Sequence, residues 1–405
     1  MIGDWGPQDR SGLTPVPGGA TAADGFRAGG VASGVKASGR PDLALVVADV
    51  PAGAAAVTTT NLVKAPACHL TDRHVANGRA QAIVINAGNA NVCTPEGEAH
   101  AQRLADATAE QLGLLSQDVL VMSTGVIGVP LPVQRIEAAL PALAAGLTRD
   151  GGDAAAHAML TTDTRTKQVA YRVSDEQGSC VVGGMAKGVG MIEPAMATLL
   201  VVVTTDAPLS GPVGRQLLRA AVSRTFNRIS VDGDGSTSDT VALLASGAAA
   251  RPPGLDTLAR GVAAVCADLA HAVVSDGEGA TRVAAVTVRQ AATEADAETL
   301  ARAVATSLLV RAALHGADPN WGRILMAMGN ARVDFDPRRV SVRCGGITVC
   351  RFGVAATFDR GQAAVAMQQP EVSIEVDLGS GDAAATVLTC DLTPEYVRFN
   401  AEYTT

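Results

Sequence analysis

Short apolar runs and amphipathic stretches alternate along most of the 405-residue chain. Mainly aliphatic runs predict strands at residues 43–47, 82–85, 119–122, 169–173, 199–203, 241–245 and 283–288, and alternating apolar and polar positions predict another at 372–376. Apolar positions three and four apart predict helices at residues 101–114, 133–147, 213–225, 255–274 and 295–314. This order predicts an α/β or α+β layered sandwich with mixed sheets.

The amino-acid composition indicates what fills the core and which binding partners are excluded. Hydrophobic residues make up 47% of the chain and aromatic residues only 3%, so Ala, Val and Leu are expected to fill a core between closely packed layers. The net charge of −8 argues against binding to nucleic acid or to anionic membranes. Because no basic, apolar leader opens the chain and no apolar run reaches membrane-spanning length, we expect a cytoplasmic protein.

The motifs of several common enzyme classes do not occur in the sequence. It contains no P-loop, no dinucleotide-binding glycine motif, no GxSxG elbow and no HExxH pair. The six histidines lack the spacing of metal ligands, and the seven cysteines form no CxxC pair. We therefore expect no metal and no organic cofactor, and a catalytic base other than histidine.

A glycine-rich stretch before a predicted strand is the strongest candidate for a catalytic segment. It reads Gly183-Gly-Met-Ala-Lys-Gly-Val-Gly-Met-Ile-Glu-Pro-Ala-Met-Ala-Thr198. Glycine reaches backbone conformations that other residues avoid, and a threonine at the head of a buried strand is held rigidly. The Thr198 hydroxyl can then attack the Ala197 carbonyl, and hydrolysis of the ester gives Thr198 a free α-amine that serves as its own base. On composition alone, an ordinary turn before a core strand is the commoner interpretation.

This stretch resembles the ornithine acetyltransferase family, the bifunctional glutamate N-acetyltransferases of arginine biosynthesis. The family pattern is Lys-Gly-x-Gly-Met-Ile, a short spacer, and then Met-Ala-Thr. Further matches follow in order: Val35-Lys-Ala-Ser-Gly39, Asn86-Ala-Gly-Asn-Ala-Asn91, Ser123-Thr-Gly-Val-Ile-Gly128, Thr161-Thr-Asp-Thr164, Asp232-Gly-Asp-Gly-Ser-Thr-Ser-Asp-Thr240, Ser275-Asp-Gly-Glu-Gly279, Asp318-Pro-Asn-Trp-Gly-Arg323 and Asn400-Ala-Glu-Tyr-Thr-Thr405. Each motif is weak alone, but the ordered set is specific.

The resemblance implies a self-processing enzyme. The chain would be cut between Ala197 and Thr198 into an α chain, residues 1–197, and a β chain, residues 198–405, which stay associated as an α2β2 heterotetramer or a larger assembly. Thr198 would take acetyl from N-acetyl-L-ornithine and pass it to L-glutamate, with acetyl-CoA as a further donor left open. No cofactor is implied.

The resemblance also implies roles for single residues. Thr124 and Gly125 would form the oxyanion hole, which suits a hydroxyl and a backbone N–H at the end of a strand. Lys187 would pair with the substrate carboxylate and Glu278 with the side-chain ammonium of ornithine. The implied substrate contacts are Thr161, Lys187, Thr198, Glu278, Asn400 and Thr405.

Three other interpretations stay open at this point. An N-terminal-nucleophile amidohydrolase or aminopeptidase would use water in place of glutamate. A related acetyltransferase of antibiotic biosynthesis would share the reaction class but not the pathway. A non-catalytic binding protein would never cleave itself, and denaturing electrophoresis would then show one intact band instead of two fragments.

Overall fold

The computed structural model describes residues 5–193 and 199–402. The chain packs into two compact units. The large unit comprises Asp9–Asn227 and Asp234–Val273, and the small unit comprises Met1–Gln8, Arg228–Gly233 and Val274–Thr404. The following bounds refer to the described residues.

The strands are β1 Leu13–Pro15, β2 Phe26–Val31, β3 Leu43–Thr58, β4 Arg79–Asn89, β5 Val119–Val126, β6 Lys167–Ser174, β7 Ser179–Lys187, β8 Leu200–Thr205, β9 Ile229–Ser230, β10 Thr240–Ala245, β11 Val283–Ala291, β12 Ser341–Cys344, β13 Ile347–Arg351, β14 Val354–Ala355, β15 Glu371–Asp377 and β16 Ala383–Cys390. The helices are α1 Pro66–His74, α2 Gly97–Leu112, α3 Val133–Ala145, α4 Gly152–Ala158, α5 Gly211–Arg224, α6 Leu255–Ser275, α7 Glu294–Ala305, α8 Leu308–His315, α9 Trp321–Gly329, α10 Arg360–Met367 and α11 Pro394–Glu402.

The large unit is built on a nine-stranded mixed sheet. Its strand order is β1-β6-β7-β8-β10-β3-β4-β5, and β2 also pairs with β3. The pairs β8–β10 and β4–β5 are parallel, whereas β7 and β8 are antiparallel neighbours. Along β3, Leu43 and Leu45 face helices α1 to α3, while Ala44 and Val46 face α4. Burial of both faces explains why these strands appear as continuous apolar runs in the sequence.

The small unit has a seven-stranded sheet of its own. Its strand order is β14-β13-β12-β15-β11-β16-β9, with β11 parallel to β15 and antiparallel to β16. Val286 of β11, Leu300 of α7 and Val376 of β15 belong to one apolar core. Both units therefore have the layered α/β architecture with mixed sheets that the sequence predicts.

The predicted elements are confirmed with one exception. All eight predicted strands are present, and so are the four helices predicted before residue 295. The single helix predicted at 295–314 is wrong, because α7 and α8 are separate helices. Ser307 between them has an extended backbone, and its hydroxyl accepts a hydrogen bond from the Val310 N–H. This N-cap starts a new helix, although the apolar periodicity continues across the break.

Helix α6 is the one described helix long and apolar enough to cross a membrane by length and composition. Its most apolar window has a mean hydropathy of 1.4, and 67% of that window is buried inside the protein. Val265 and Leu269 on this helix pack against the backbone of Gly184 in β7. Burial of this kind is typical of a core helix, which also needs an apolar surface.

The two packing units do not follow the predicted division into residues 1–197 and 198–405. That division concerns a covalent cut, which would fall in the connection between β7 and β8 of the large-unit sheet. It stays a prediction.

Candidate active site

The glycine-rich segment connects two neighbouring strands. Lys187 at the end of β7 pairs with Leu200 at the start of β8. The connection between the two strands therefore begins and ends on the same side of the sheet, where β7 ends and β8 starts. Gly188 has a φ of 150°, and Met191 has the left-handed φ of 54°. The predicted cleavage pair Ala197 and Thr198 lies outside the described residues, and so does Thr405. The site is therefore defined by the groups around the two ends of the connection.

Lys187 is buried at one of these ends. Lysine side chains are seldom fully buried, yet only 2% of Lys187 is exposed. Its ammonium nitrogen lies 3.5 Å from the hydroxyl oxygen of Thr124, at the far end of β5. Strands β5 and β7 are not neighbours in the sheet. The fold thus brings the predicted carboxylate-binding residue against the predicted oxyanion-hole hydroxyl.

The Asp163 carboxylate links Thr161 to the same place. One of its oxygens accepts hydrogen bonds from the Lys167 ammonium, at 2.7 Å, and from the Gly188 N–H, at 2.8 Å. Its other oxygen accepts from the Thr161 N–H at 3.0 Å. Because Gly188 follows Lys187 directly, one carboxylate fixes the backbone beside two residues predicted to contact the substrate.

The charges in this cluster balance one another. The Asp163 and Lys167 side chains are both fully buried. Burial raises the pKa of the Asp163 carboxyl, but the charges of Lys187 and Lys167 and its hydrogen bonds outweigh that effect and lower the pKa to about 2. Asp163 is thus ionised at neutral pH and compensates buried positive charge.

A network of asparagines supports Thr124 from the neighbouring strand β4. Asn86 donates a side-chain hydrogen bond to the Asn89 carbonyl at 2.8 Å and accepts one from the Ser123 hydroxyl. Asn89 in turn donates to the Val129 carbonyl at 3.0 Å and accepts from the Asn91 N–H at 2.8 Å. The motif at residues 86–91 is therefore structural: it holds the ends of β4 and β5 in a fixed geometry.

The backbone of Gly125 packs closely against the backbone of Gly88 and Asn89. Its φ of 128° is one that residues with a Cβ rarely adopt. A Cβ at this position would lie 2.3 Å from the Gly88 carbonyl carbon and 2.5 Å from the Asn89 nitrogen. Only glycine fits here, so the backbone beside Thr124 has a conformation that the sequence specifies.

Lys36 is a second amine near the cluster that the sequence did not single out. Its ammonium donates to the Pro41 carbonyl at 2.6 Å and to the Ala158 carbonyl at 3.3 Å. Burial lowers the pKa of Lys36 to about 8, and the positive charge of Lys187 acts in the same direction. Lys36 and Asp163 both lie in motifs that match the family pattern. This match is the feature of the sequence that could have identified them as site residues.

Glu278 and Asn400, two further predicted substrate residues, lie in the small unit and contact each other. The Asn400 amide donates a hydrogen bond of 3.1 Å to the Glu278 carboxylate. Within residues 5–193 and 199–402, no group of three or more His, Cys, Asp or Glu side chains is arranged to hold a metal ion. All seven cysteines are free thiols.

Comparison with known proteins identifies the family. The sequence model of the ArgJ family matches residues 27–405. This chain belongs to the ArgJ family. A relative from Gloeobacter violaceus, named arginine biosynthesis bifunctional protein ArgJ, is 46% identical over 400 residues, 96% of this chain and 98% of that protein. A relative of the same name from Thermus thermophilus is 48% identical over 383 residues, 94% of this chain and 98% of that protein.

Solved structures of the ArgJ family are also similar to parts of the chain. The crystal structure of ornithine acetyltransferase complexed with ornithine from Mycobacterium tuberculosis is 40% identical, with a TM-score of 0.42, and covers 45% of this chain and 98% of that one. Membership in the ArgJ family confirms the resemblance inferred from the ordered motifs.

Proposed function

We propose that this chain is a self-cleaving ornithine acetyltransferase that moves acetyl from N-acetyl-L-ornithine to L-glutamate through an acetyl-Thr198 intermediate. The observation that carries the proposal is the buried contact between Lys187 and Thr124 at the end of β7, where the connection to β8 begins. Its relatives are named arginine biosynthesis proteins, which favours the arginine pathway over antibiotic biosynthesis.

Self-cleavage prepares the nucleophile. The Thr198 hydroxyl adds to the Ala197 carbonyl carbon, the peptide C–N bond breaks, and water then hydrolyses the ester. The new α-amine has an ordinary pKa of about 8, so part of it is neutral at physiological pH and can accept the hydroxyl proton. The same hydroxyl then attacks the acetyl carbonyl of N-acetylornithine, releases ornithine and passes the acetyl group to glutamate.

Positive charge and hydrogen-bond donors stabilise the tetrahedral intermediates. The Thr124 hydroxyl and the Gly125 N–H would bind the oxyanion, and the asparagine network holds both in place before the substrate arrives. The Lys187 ammonium would bind the substrate carboxylate beside them. These roles need a rigid, water-poor site, and the burial of Thr124 and Lys187 supplies one.

Replacing Thr124 by valine is expected to lower kcat by about 100- to 1,000-fold, because one donor to the oxyanion is removed while the shape is kept. KM for N-acetylornithine should change much less. Steady-state kinetics of the purified variant provide the measurement, with Thr108→Val as a control, since that hydroxyl donates to the Leu104 carbonyl within its own helix. An unchanged kcat would remove Thr124 from the oxyanion hole.

Replacing Glu278 by glutamine is expected to raise KM for N-acetylornithine by about 10- to 100-fold, since a charge-assisted hydrogen bond to the ornithine ammonium is lost. KM for glutamate, which has no side-chain ammonium, should stay close to that of the unaltered protein. Asn400 still finds an amide oxygen at this position, so this hydrogen bond is kept. Unchanged use of N-acetylornithine by the folded variant contradicts the assignment.

Intact mass spectrometry tests the function as a whole. Purified protein incubated with N-acetylornithine and no acceptor should show two fragments, residues 1–197 and 198–405, with one acetyl group on the second. Adding glutamate should remove that group as N-acetylglutamate, and release of acetate without glutamate would indicate an amidohydrolase. Acetyl-CoA in place of N-acetylornithine tests the second donor that the word bifunctional in the relatives' names suggests.

We also propose that the two fragments assemble as an α2β2 heterotetramer or a larger oligomer in the cytoplasm, as expected for a biosynthetic enzyme. Sedimentation of the mature protein measures the assembly.

A further inference from the structure

Asp239 is a buried acid that the proposed mechanism does not use. It is the last residue but one of the motif at residues 232–240 and immediately precedes β10. None of its surface is exposed. Its backbone is held on both sides, because its carbonyl accepts from the Thr59 N–H at 3.0 Å and the next residue, Thr240, donates to the Leu199 carbonyl at 2.9 Å. The carboxyl group therefore has a fixed position beside the start of β8.

Among the described residues, one of the two carboxyl oxygens of Asp239 has a hydrogen-bond partner and the other has none. One oxygen accepts a hydrogen bond of 2.8 Å from the Leu199 N–H. The other is buried and has no hydrogen-bond partner in residues 5–193 and 199–402. A buried carboxyl oxygen without a partner is costly and seldom kept without a reason. Burial raises the pKa of this carboxyl well above its ordinary value, against the Leu199 hydrogen bond and the charge of Lys187.

Covalent geometry brings this group close to the predicted cleavage point. Leu199 directly follows Thr198, and the backbone nitrogens of consecutive residues are about 3 to 3.5 Å apart. A carboxyl oxygen bonded to the Leu199 N–H is thus held one residue from the predicted cleavage point. The second oxygen of the same carboxyl has no hydrogen-bond partner among the described residues, so it is able to exchange a proton with the residue before Leu199.

We propose that the Asp239 carboxyl relays the proton from the Thr198 hydroxyl to the Thr198 nitrogen during self-cleavage. This inference rests on the proposed function, because it concerns the step that frees Thr198. It assigns chemistry to a motif that otherwise carries only the family resemblance.

The proposed cleavage step neither consumes nor releases a net proton. The hydroxyl oxygen forms a bond to the Ala197 carbonyl carbon and loses a proton, while the nitrogen leaves that carbon and gains one. A protonated carboxyl that gives its proton to the nitrogen and takes one from the hydroxyl returns to its starting state. Water then hydrolyses the ester and releases the Ala197 carboxylate. The nearby charge of Lys187 stabilises the transient Asp239 carboxylate.

The test follows cleavage of full-length chains made by pulse-labelled cell-free translation and separated on denaturing gels. Asp239→Asn keeps an oxygen for the Leu199 N–H but cannot relay a proton, and cleavage should slow by at least about 100-fold. The matched control is Asp206→Asn. Asp206 is likewise buried with a raised pKa, and its carboxyl accepts from the Val181 N–H at 2.7 Å beyond the opposite end of β8. This variant should cleave at the unaltered rate.

The pH profile separates proton relay from a structural role. Cleavage of the unaltered chain should decline as the pH rises through the raised pKa of Asp239, because the protonated carboxyl is the active form. The Asp239→Asn chain should be slow and show no such decline. Asp239→Glu, which keeps the acid, should retain cleavage with an alkaline decline, and this variant decides the question if the asparagine variant does not fold.

Hydroxylamine identifies the affected step. It cleaves the ester intermediate directly, so a folded Asp239→Asn chain that hydroxylamine cuts at the rate of the unaltered chain forms the ester without Asp239, which would overturn the proposal. Cleavage of the asparagine variant at the unaltered rate would overturn it as well, and so would a folded Asp239→Glu chain that does not cleave. If the unaltered chain itself stays intact, the proposed function fails instead.

Discussion

Replacing Thr198 by alanine is expected to leave the chain intact and to abolish acetyl transfer. Without the hydroxyl no ester forms at Ala197, so no α-amine appears, and the nucleophile for the acetyl group is missing as well. Loss of a catalytic nucleophile typically lowers turnover by about 10⁴-fold or more. Denaturing electrophoresis would show one full-length band, and incubation with N-acetylornithine should add no acetyl group in intact mass spectrometry.

Thr198→Ser is the matched control for this variant. Serine keeps the hydroxyl and removes only a methyl group, so the chain should still be cut and should still accept acetyl at a reduced rate. Both variants should have the secondary structure and melting temperature of a folded protein. Fragments from a Thr198→Ala chain with the expected masses would mean that another residue carries out the cleavage.

Replacing Asp163 by alanine is expected to destabilise the large unit by about 3 to 5 kcal/mol at neutral pH, because it removes the negative partner of a fully buried ion pair. The Lys167 ammonium would lose its buried carboxylate acceptor at 2.7 Å, and the Gly188 N–H would lose an acceptor at 2.8 Å. Chemical denaturation of the purified variant measures the change. Acetyl transfer should fall too, since Gly188 adjoins Lys187.

The contribution of Asp163 to the stability of the folded protein depends on pH. The carboxyl of Asp163 has a pKa of about 2 in the folded protein and about 4 in the unfolded chain. Its contribution to stability is therefore fully present above about pH 4 and is lost as the pH falls toward 2. The difference in the free energy of unfolding between the unaltered protein and Asp163→Ala should shrink over this window. A constant difference would contradict the assigned charge state.

Asp153 offers a control for this prediction in the same unit. It lies 3.3 Å from the ring of His157, four residues later, which is the spacing of Asp163 and Lys167, but both side chains of this pair are more than half exposed. Asp153→Ala should therefore change the free energy of unfolding by at most about 1 kcal/mol. A similar loss in both variants would show that burial is not what makes the Asp163 pair important.

Much of the fold could be predicted because its strands are buried on both faces. Strands β4, β5, β8 and β10 are aliphatic runs in the sequence and strands in the structure. The break between α7 and α8 was missed because a hydroxyl cap, not a change in hydrophobic period, separates the helices. Periodicity reports which side of an element is buried, whereas a cap is decided by one local hydrogen bond.

The site was predictable in part. The motifs pointed to Thr124 and Lys187, and the structure places their side chains in contact. The motifs include Asp163 and Asp239 but do not indicate their burial, because an aspartate in a polar loop looks the same in sequence whether it faces solvent or is buried. What distinguishes these two are neighbours that folding brings from other segments, Lys167 and Gly188 for one and Leu199 for the other.

The antiparallel pairing of β7 with β8 has a consequence for the life of the molecule. Six residue pairs join these strands across the connection in which the cut is proposed. Before such a cut they form a hairpin that folds within one chain, and after it they would belong to two chains inside one sheet. Unfolding of the cut protein would then be nearly irreversible, since reassembly requires two separate fragments to meet. A cut molecule would have folded as a single polypeptide only once, and its lifetime would depend on how slowly it unfolds.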